Sequence, residues 1–561
     1  MSAAPTDGTP LAALYHWEKT RPDAVHLTQP VGNGQSVDYT WAEIMDQVRR
    51  MAAHLQSLDI PPHSQIALMG KNSAHWMMAD WAIWMAGHVT VPLYPTLNAE
   101  TVNYILEHSE SKLLFVGKLD DWDTMAPGVP DTLPMITLPL APDIDCPSWD
   151  EIIATTEPLQ GEPDRSLDDL ATIVYTSGST GQPKGVMQTF GSFKVCGTLL
   201  QELFPLDTSD RMLSYLPLAH VAERLVVENN STYHGFHVFF AESLDTFLAD
   251  LQRAQPTMFF SVPRLWTKFH LAVCDNLPLK KQKLLFRLPI LGKKIKRAIL
   301  TKLGLQHVRV AFTGAAPLPP SILAWYRSLG LDLLEAYGMS ENFAYSHFTR
   351  PNDAKDGHIG PPNPGVECRI DPATGEIQVK SPAQMLGYFK APDKTAECYT
   401  DDGYFKTGDM GEEDEAGRLR VTGRVKELFK TSKGKYVAPV PIENKLGNHP
   451  RVEVVCVAGA NRPAPYAMVL LAEDTRQHLN EGQVDRDTIS EELGSLLELV
   501  NPQLDAHERV QFLAIVNDVW DIENGFLTPT MKIRRNIIEK HYADHEDGWY
   551  AARSAVLWQS A

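Results

Sequence analysis

Ala171-Thr-Ile-Val-Tyr175 runs without a break into Thr176-Ser-Gly-Ser-Thr-Gly-Gln-Pro-Lys-Gly185, and this join decides how the fold is read. An apolar run rich in β-branched residues that ends in glycines and hydroxyls predicts a buried strand feeding a loop. Three glycines and four hydroxyl side chains within ten residues allow backbone N–H groups and hydroxyls to surround phosphate oxygens, with Lys184 as a nearby cation. The candidate phosphate contacts are therefore Thr176, Ser177, Gly178, Ser179, Thr180, Gly181 and Lys184. The order Pro183-Lys184-Gly185 excludes a Walker A loop, which needs Gly-Lys followed by Ser or Thr, and P-loop kinases and GTPases go with it. The bland alternative is a surface turn without a ligand.

Outward from this loop, residues 40–345 alternate short apolar runs with longer helical patterns. Gln65-Ile-Ala-Leu-Met, Lys112-Leu-Leu-Phe-Val, Thr257-Met-Phe-Phe-Ser-Val and Val308-Arg-Val-Ala-Phe are further predicted strands. Strand–helix alternation predicts an α/β architecture of parallel-type sheets covered by helices, with ligands at the carboxyl ends of the strands. From about 360 the texture changes to short strands between turn residues, as in Val366-Glu-Cys-Arg-Ile, Glu376-Ile-Gln-Val-Lys and Arg418-Leu-Arg-Val-Thr, which predicts a compact β unit. The final stretch mixes strands such as Val454-Val-Cys-Val-Ala with helical segments and predicts a small α+β domain.

The chain has 561 residues, 43% apolar and 22% charged, which predicts several well-packed globular domains. Its formal charge of −19 argues against bulk nucleic-acid binding. Six scattered cysteines with no C-x-x-C pair predict reduced thiols in a cytoplasmic protein rather than a zinc site or a disulfide framework. The N-terminal residues carry no secretory pattern. Trp76–Met85 is the most membrane-like stretch, but it contains Asp80 and is too short to span a bilayer.

Further motifs follow the loop in order: Leu216-Pro-Leu-Ala-His220, Thr313-Gly-Ala-Ala-Pro317, Tyr337-Gly-Met-Ser-Glu341, Gly375-Glu-Ile-Gln-Val with Gly387-Tyr-Phe, Tyr404-Phe-Lys-Thr-Gly-Asp409, Gly423-Arg-Val-Lys426 and Thr528-Pro-Thr-Met-Lys532. The ordered set resembles the adenylate-forming superfamily of acyl-CoA synthetases, stand-alone adenylation domains and firefly-type luciferases, over about residues 20–540. The resemblance implies a large N-terminal AMP-binding domain, 1–425, of two helix-covered sheets plus a small β-barrel unit at about 360–425. It also implies a mobile C-terminal α+β domain, 426–561, hinged near Lys426, that swings between two half-reactions.

Adenylating a carboxylate brings two anions together, so cations and aligned donors must offset their repulsion. The resemblance places Lys532 between the carboxylate and the α-phosphate of ATP, and His220 beside the reacting carboxylate. It makes Glu341 a Mg2+ ligand with Thr176 as the second protein contact, and puts the Ser340 hydroxyl beside them in the nucleotide site, an arrangement that suits an ion keeping several waters. Tyr337 and Gly338 are implied to pack on adenine, with Gly314 and Ala315 as another wall. Asp409 and Arg424 are implied to hold ribose, Lys430 and Tyr436 to contact nucleotide, and Gly434 to line a pantetheine channel for CoA.

Residues 280–302 carry nine Lys/Arg and no acid, interleaved with Leu, Ile and Phe and interrupted by Pro289 and Gly292. Two readings stay open: a peripheral contact with the inner face of an anionic membrane, or a helix pair with a basic outer face. The segment from Phe260 to Phe269 and the long stretch before Arg309 resemble long-chain fatty acyl-CoA synthetases. The expected activity is an ATP- and Mg2+-dependent ligase joining a long-chain fatty acid to CoA through acyl-AMP. The alternatives are loading of the acid onto a separate carrier protein, and a silent lipid- or nucleotide-binding protein of the same fold.

Overall fold

The computed structural model describes residues 8–560, apart from 177–181, 317, 352, 523, 529–531 and the side chain of Asp275. Local sequence sets the element ends. Thr40 and Glu43 form a reciprocal capping box at the start of the helix Trp41–Ser57. Its Ile44, Met45, Val48, Met51, Ala52 and Leu55 recur at helical spacing and are fully buried. Ser73 caps Ala74–Met85, a helix buried on every side. The stretch singled out as membrane-like is thus a core helix, and no described helix is long and apolar enough to cross a membrane.

The strand Leu170–Thr176 lies inside a seven-stranded sheet. In spatial order the strands are Gly387–Tyr388, Lys184–Thr189, Leu170–Thr176, Val89–Leu93, Gln65–Met69, Leu114–Val116 and Met135–Thr137. The last five run parallel, and the first two are antiparallel additions. Two four-stranded sheets follow. One orders Gln35–Thr40, Val25–Gly32, His237–Phe240 and Arg211–Ser214; the other orders Met258–Ser261, Val310–Thr313, Leu333–Tyr337 and His347–Phe348. The N–H of Thr257 donates to Arg211 O at 3.0 Å, joining the two. The predicted β unit is an antiparallel sheet of Glu367–Ile370, Glu376–Lys380, Phe405–Glu413 and Leu419–Arg424, with a bridge from Gly360 to Leu419. The C-terminal sheet comprises Val452–Ala458, Tyr466–Leu471, Leu513–Ile515 and Val556–Trp558, with its own apolar core. All six cysteines are free.

One polar group is sealed within the largest core. Arg224 opens a π-helical turn, Arg224–Asn229, and is fully buried between Trp76, Trp84 and Phe193. Its guanidinium donates to Asp80, to Glu228 at 3.0 Å and to Thr172 Oγ1 at 2.7 Å. Burial first, and then Asp80, push the Glu228 carboxyl well above its usual range. Arg224 thus serves two buried acids at once, with burial favouring the protonated form at Glu228.

Candidate active site

Thr176 and Lys184 are register partners where the phosphate-loop hairpin opens. The loop residues Ser177, Gly178, Ser179, Thr180 and Gly181 lie outside the described residues. Lys184 Nζ stands 4.7 Å over the ring of Tyr388, whose hydroxyl donates to Glu341 Oε1 at 2.7 Å. The chain from Glu341 is fixed by its carbonyl, which accepts the N–H of Met385 at 2.7 Å and Gln384 Nε2 at 3.1 Å. Gln188 Nε2 donates to the carbonyl of Ser340 at 2.7 Å. The hairpin and the Ser340–Asn342 turn are therefore tied together through the edge strand that carries Tyr388.

Gly314 and Ala315 follow the strand Val310–Thr313. A Cβ at Gly314 would meet Ala336 O at a tight 3.3 Å and the Phe260 ring at 3.4 Å, so the chain here runs close to the neighbouring strand. Ala315 has a left-handed φ of 69°. Gly338 is under a stronger constraint: a Cβ there would fall 2.5 Å from the Ala344 backbone, across a turn in which Phe343 and Ala344 are both left-handed.

Asp409 and Arg424 face one another across neighbouring strands, and Arg424 Nε meets Asp409 Oδ1 at 2.9 Å. The other carboxylate oxygen, Oδ2, accepts Tyr337 O–H at 2.8 Å. Burial, and then Asp409, raise the Tyr337 pKa and keep the phenol protonated. Burial opposes the charge on Arg424, but Asp409, Glu427, Tyr337 and Glu341 more than offset it and raise its pKa.

Lys532 comes from the other lobe and lands in this cluster. The N–H of Thr528 donates to Lys532 O at 2.8 Å, and the N–H of Lys532 donates to Thr528 Oγ1 at 3.1 Å, which closes a tight loop. Residues 529–531 of the motif lie outside the described residues. The residue is exposed, yet protein crowds its ammonium. That desolvation, and then Arg424, lower its pKa, while Asp409, Glu427 and Glu341 pull the other way. Lys532 in turn acts on His220, whose pKa burial has already pushed down; together they bring it to about 4. His220 Nδ1 accepts the N–H of Ala222 at 3.1 Å, so the neutral ring carries its proton on Nε2.

The candidates Lys532, His220, Tyr337, Asp409, Arg424 and Glu341 thus form one electrostatically connected cleft, with Lys184 one aromatic ring away. Lys430, Gly434 and Tyr436 stand apart on a C-terminal hairpin: Lys430 Nζ lies 5.6 Å over the Tyr436 ring, and Gly434 turns the hairpin at φ 77°. Among the described residues no hydrogen bond or ion pair joins them to the Asp409 cluster. Lys426 lies in the turn Val425–Glu427, which connects the β unit to that hairpin.

Sequence reasoning missed four supports. Tyr388 belongs to a quoted motif but had no assigned role. Glu427, one residue past Lys426, acts on both Lys532 and Arg424. Arg535 donates to Glu443 at 2.5 and 3.0 Å, to Val457 O at 2.7 Å and to Glu427 at 3.4 Å, tying the Lys532 loop to its own lobe and to the connection. Glu223, three residues after His220, accepts Ser214 Oγ at 2.9 Å and the N–H of Tyr215 at 3.1 Å, and its burial raises its pKa to about 8. Only the spacing of Glu223 from His220 was a usable local signal.

This geometry coincides with two family matches: AMP-binding enzyme over residues 14–389, and AMP-binding enzyme C-terminal domain over 427–554. The chain belongs to the AMP-binding enzyme family. It is 29% identical to the long-chain-fatty-acid–CoA ligase FadD15 of Mycobacterium bovis, with 96% of each chain covered. It is 28% identical to long chain acyl-CoA synthetase 4 of Arabidopsis thaliana, covering 93% of this chain and 88% of the other. Among solved structures, the adenylation domain of a Mycobacterium chelonae carboxylate reductase superposes with a TM-score of 0.81 at 22% identity, covering 97% of this chain and 91% of the other. The fold is therefore that of adenylate-forming enzymes, and the protein is an enzyme of the AMP-forming acid–CoA ligase family.

The family implies Mg2+, and the donors fit it. Glu341 offers a carboxylate and Thr176 a hydroxyl, both hard oxygen ligands. Among the described residues no cluster of three or more His, Cys, Asp or Glu could hold a metal alone. Phosphate oxygens and water would complete the shell, which suits Mg2+ better than an all-protein cage would.

Proposed function

We propose that the protein activates a long-chain fatty acid with ATP and passes the acyl group to CoA. One observation carries this reading: the Lys532 ammonium of the small lobe lies within electrostatic reach of Asp409, Arg424 and Glu341 of the large lobe and of neutral His220, while Asp409 binds Arg424 and Tyr337. In the first half-reaction a carboxylate oxygen attacks the α-phosphorus and pyrophosphate leaves. Lys532 offsets the repulsion between the two anions, and His220 holds a proton at Nε2 beside the carboxylate. Asp409 and Arg424 orient the ribose, Tyr337 and Gly338 support adenine, and Lys184 meets the departing phosphates. Mg2+, held by Glu341 with Thr176, would neutralise phosphate charge when bound.

In the second half-reaction the CoA thiolate attacks the acyl carbon and AMP leaves. The small lobe pivots at Lys426, withdraws Lys532 and brings the hairpin bearing Lys430, Gly434 and Tyr436 toward the cleft. Long-chain specificity draws support from the FadD15 and Arabidopsis relatives, which match along nearly the whole chain.

The test is a panel of carboxylic acids of graded length, scored by pyrophosphate release with and without CoA. The expected outcome is acyl-CoA formation that is strongest with long chains. Pyrophosphate release without any acyl-CoA would shift the acceptor to a carrier protein, and no release with any acid would leave a silent binding protein.

A further inference from the structure

The helices Leu279–Leu285 and Leu291–Lys302 form part of the crossover between the strands Met258–Ser261 and Val310–Thr313. Their inner side is already satisfied. Gln282 is buried and accepts Trp325 Nε1–H at 2.7 Å, Ile299 is buried, and Phe286, Ile295 and Leu300 pack on the core beneath. An amphipathic pair needs nothing more to fold onto its sheet.

The outer side carries a surplus of two kinds. Leu279, Leu284, Leu288, Ile290 and Leu291 are exposed, Ile290 by 75% and Leu284 by 68%, and three of them line the bend between the helices. Around them stand nine Lys/Arg with no acid in the segment, on a chain of net charge −19. Among the described residues none of these nine enters an ion pair, whereas basic residues elsewhere, such as Arg309, Arg369 and Arg418, pair with acids. Among the described residues the one contact the structure records for these nine basic side chains is that of Lys296, 5.3 Å over the Phe286 ring.

Unpaired cations around exposed aliphatic side chains match the chemistry of an anionic bilayer, in which charge meets headgroups and the apolar tips enter the acyl boundary. An acidic protein surface would answer the charge but leave the aliphatic bend without a counterpart. We propose that these two helices dock the enzyme onto an anionic phospholipid membrane, Leu284, Leu288, Ile290 and Leu291 inserting at the bend and the lysines flanking them. The placement has a use. The strand Met258–Ser261, whose Phe260 lies beside Gly314, reaches these helices through the helix Pro263–Asn276, so one crossover links the proposed nucleotide wall to the proposed membrane face.

The test uses the full chain and vesicle flotation, which needs no turnover and so stands apart from the proposed reaction. Vesicles of phosphatidylcholine alone are compared with vesicles containing about 30% phosphatidylglycerol. Two variants, both altering only exposed side chains, are checked for unchanged thermal melting. One replaces Lys280, Lys281, Lys283, Lys293 and Lys294 with Gln; the other is Ile290→Ser with Leu284→Ser. The expected result is at least about tenfold preference for the anionic vesicles, weakened by salt, lost in the lysine variant and reduced severalfold in the apolar one. Equal binding to both vesicle types, no binding by the unaltered chain, or full binding by the lysine variant would each overturn the proposal; the second would leave an acidic protein as the partner.

Discussion

The two lobes supply their halves of the cleft in different ways. The large lobe embeds its groups in sheet register: Asp409 and Arg424 are cross-strand neighbours, Tyr337 ends a strand, and Tyr388 reaches Glu341 from an edge strand. The small lobe offers one ammonium on a loop whose own bonds run between Thr528 and Lys532, with Arg535 fixing its base. A preorganised half and a removable half suit the proposed pair of reactions, in which the cations at the site change between steps. The large-lobe half should therefore fail through stability and binding, and the small-lobe half through rate alone.

The largest expected effect lies in the large-lobe core, one helical turn after His220, whose carbonyl accepts the N–H of Arg224 at 3.1 Å. Arg224→Ala leaves Asp80 and Glu228 buried without their cation, at a cost of about 3–5 kcal/mol. Denaturant midpoints measure it, and a loss below about 1 kcal/mol would show that the triad is not the rigid base of the His220 segment. Lys532→Ala should spare stability and lower acyl-adenylate formation by about 10²–10³-fold. Thiolysis of supplied acyl-AMP should persist. Equal loss of both half-reactions would refute the separation of the two halves.

The first half was far more legible in the sequence than its supports were. The ordered motifs carried the resemblance that proposed Asp409, Glu341 and Gly338, and the fold constrains the chain tightly at the last of them, where a Cβ would meet the Ala344 backbone. The strands around them were legible because apolar runs such as Ile66–Met69 are bounded by turn residues. Tyr388, Glu427 and Arg535 act through partners 47, 105 and 92 residues away, respectively Glu341, Lys532 and Glu443, and no local pattern encodes such a meeting. Arg535 stands in a basic run beside Lys532 and Arg534, and only the fold turns it inward to two carboxylates. Asp80 was read as an argument against a membrane span; its partner Arg224 lies 144 residues on.

Asp409→Asn keeps the shape of the ribose site but removes the charge that holds Arg424 and Tyr337. The KM for ATP should rise by about tenfold or more, in line with loss of a charge-assisted bond, with a smaller change in kcat. A fall in kcat alone would move Asp409 from nucleotide binding to the chemical step. The pH dependence separates the halves again. In the proposed adenylation Lys532 acts in its charged form, so activity should be lost as pH rises through its folded pKa. Desolvation and Arg424 lower that value, so the alkaline limb should fall below the ordinary lysine range near 10.4. Lys532→Arg should carry the limb out of the measurable range, whatever rate remains.

The smallest effect concerns what holds the lobes together. Arg264 of the large lobe meets Glu453 of the small lobe at 2.9 Å, but the Arg264 side chain is 62% exposed and Glu453 keeps a second partner, Arg476, at 2.9 Å. Arg264→Ala therefore strands no buried charge and removes only a screened surface pair, worth about 1 kcal/mol or less. The ratio of adenylation to thiolysis should shift by no more than about fivefold, because that is the rate factor such an energy commands. The shift should shrink further at high ionic strength, where the Debye length contracts to about 3 Å. Stopped-flow rates of the two half-reactions at low and high salt measure it. A change beyond about tenfold would mean that this surface pair, rather than the charges meeting around Lys532, selects the closed arrangement, and the removable half would then be governed from outside the cleft.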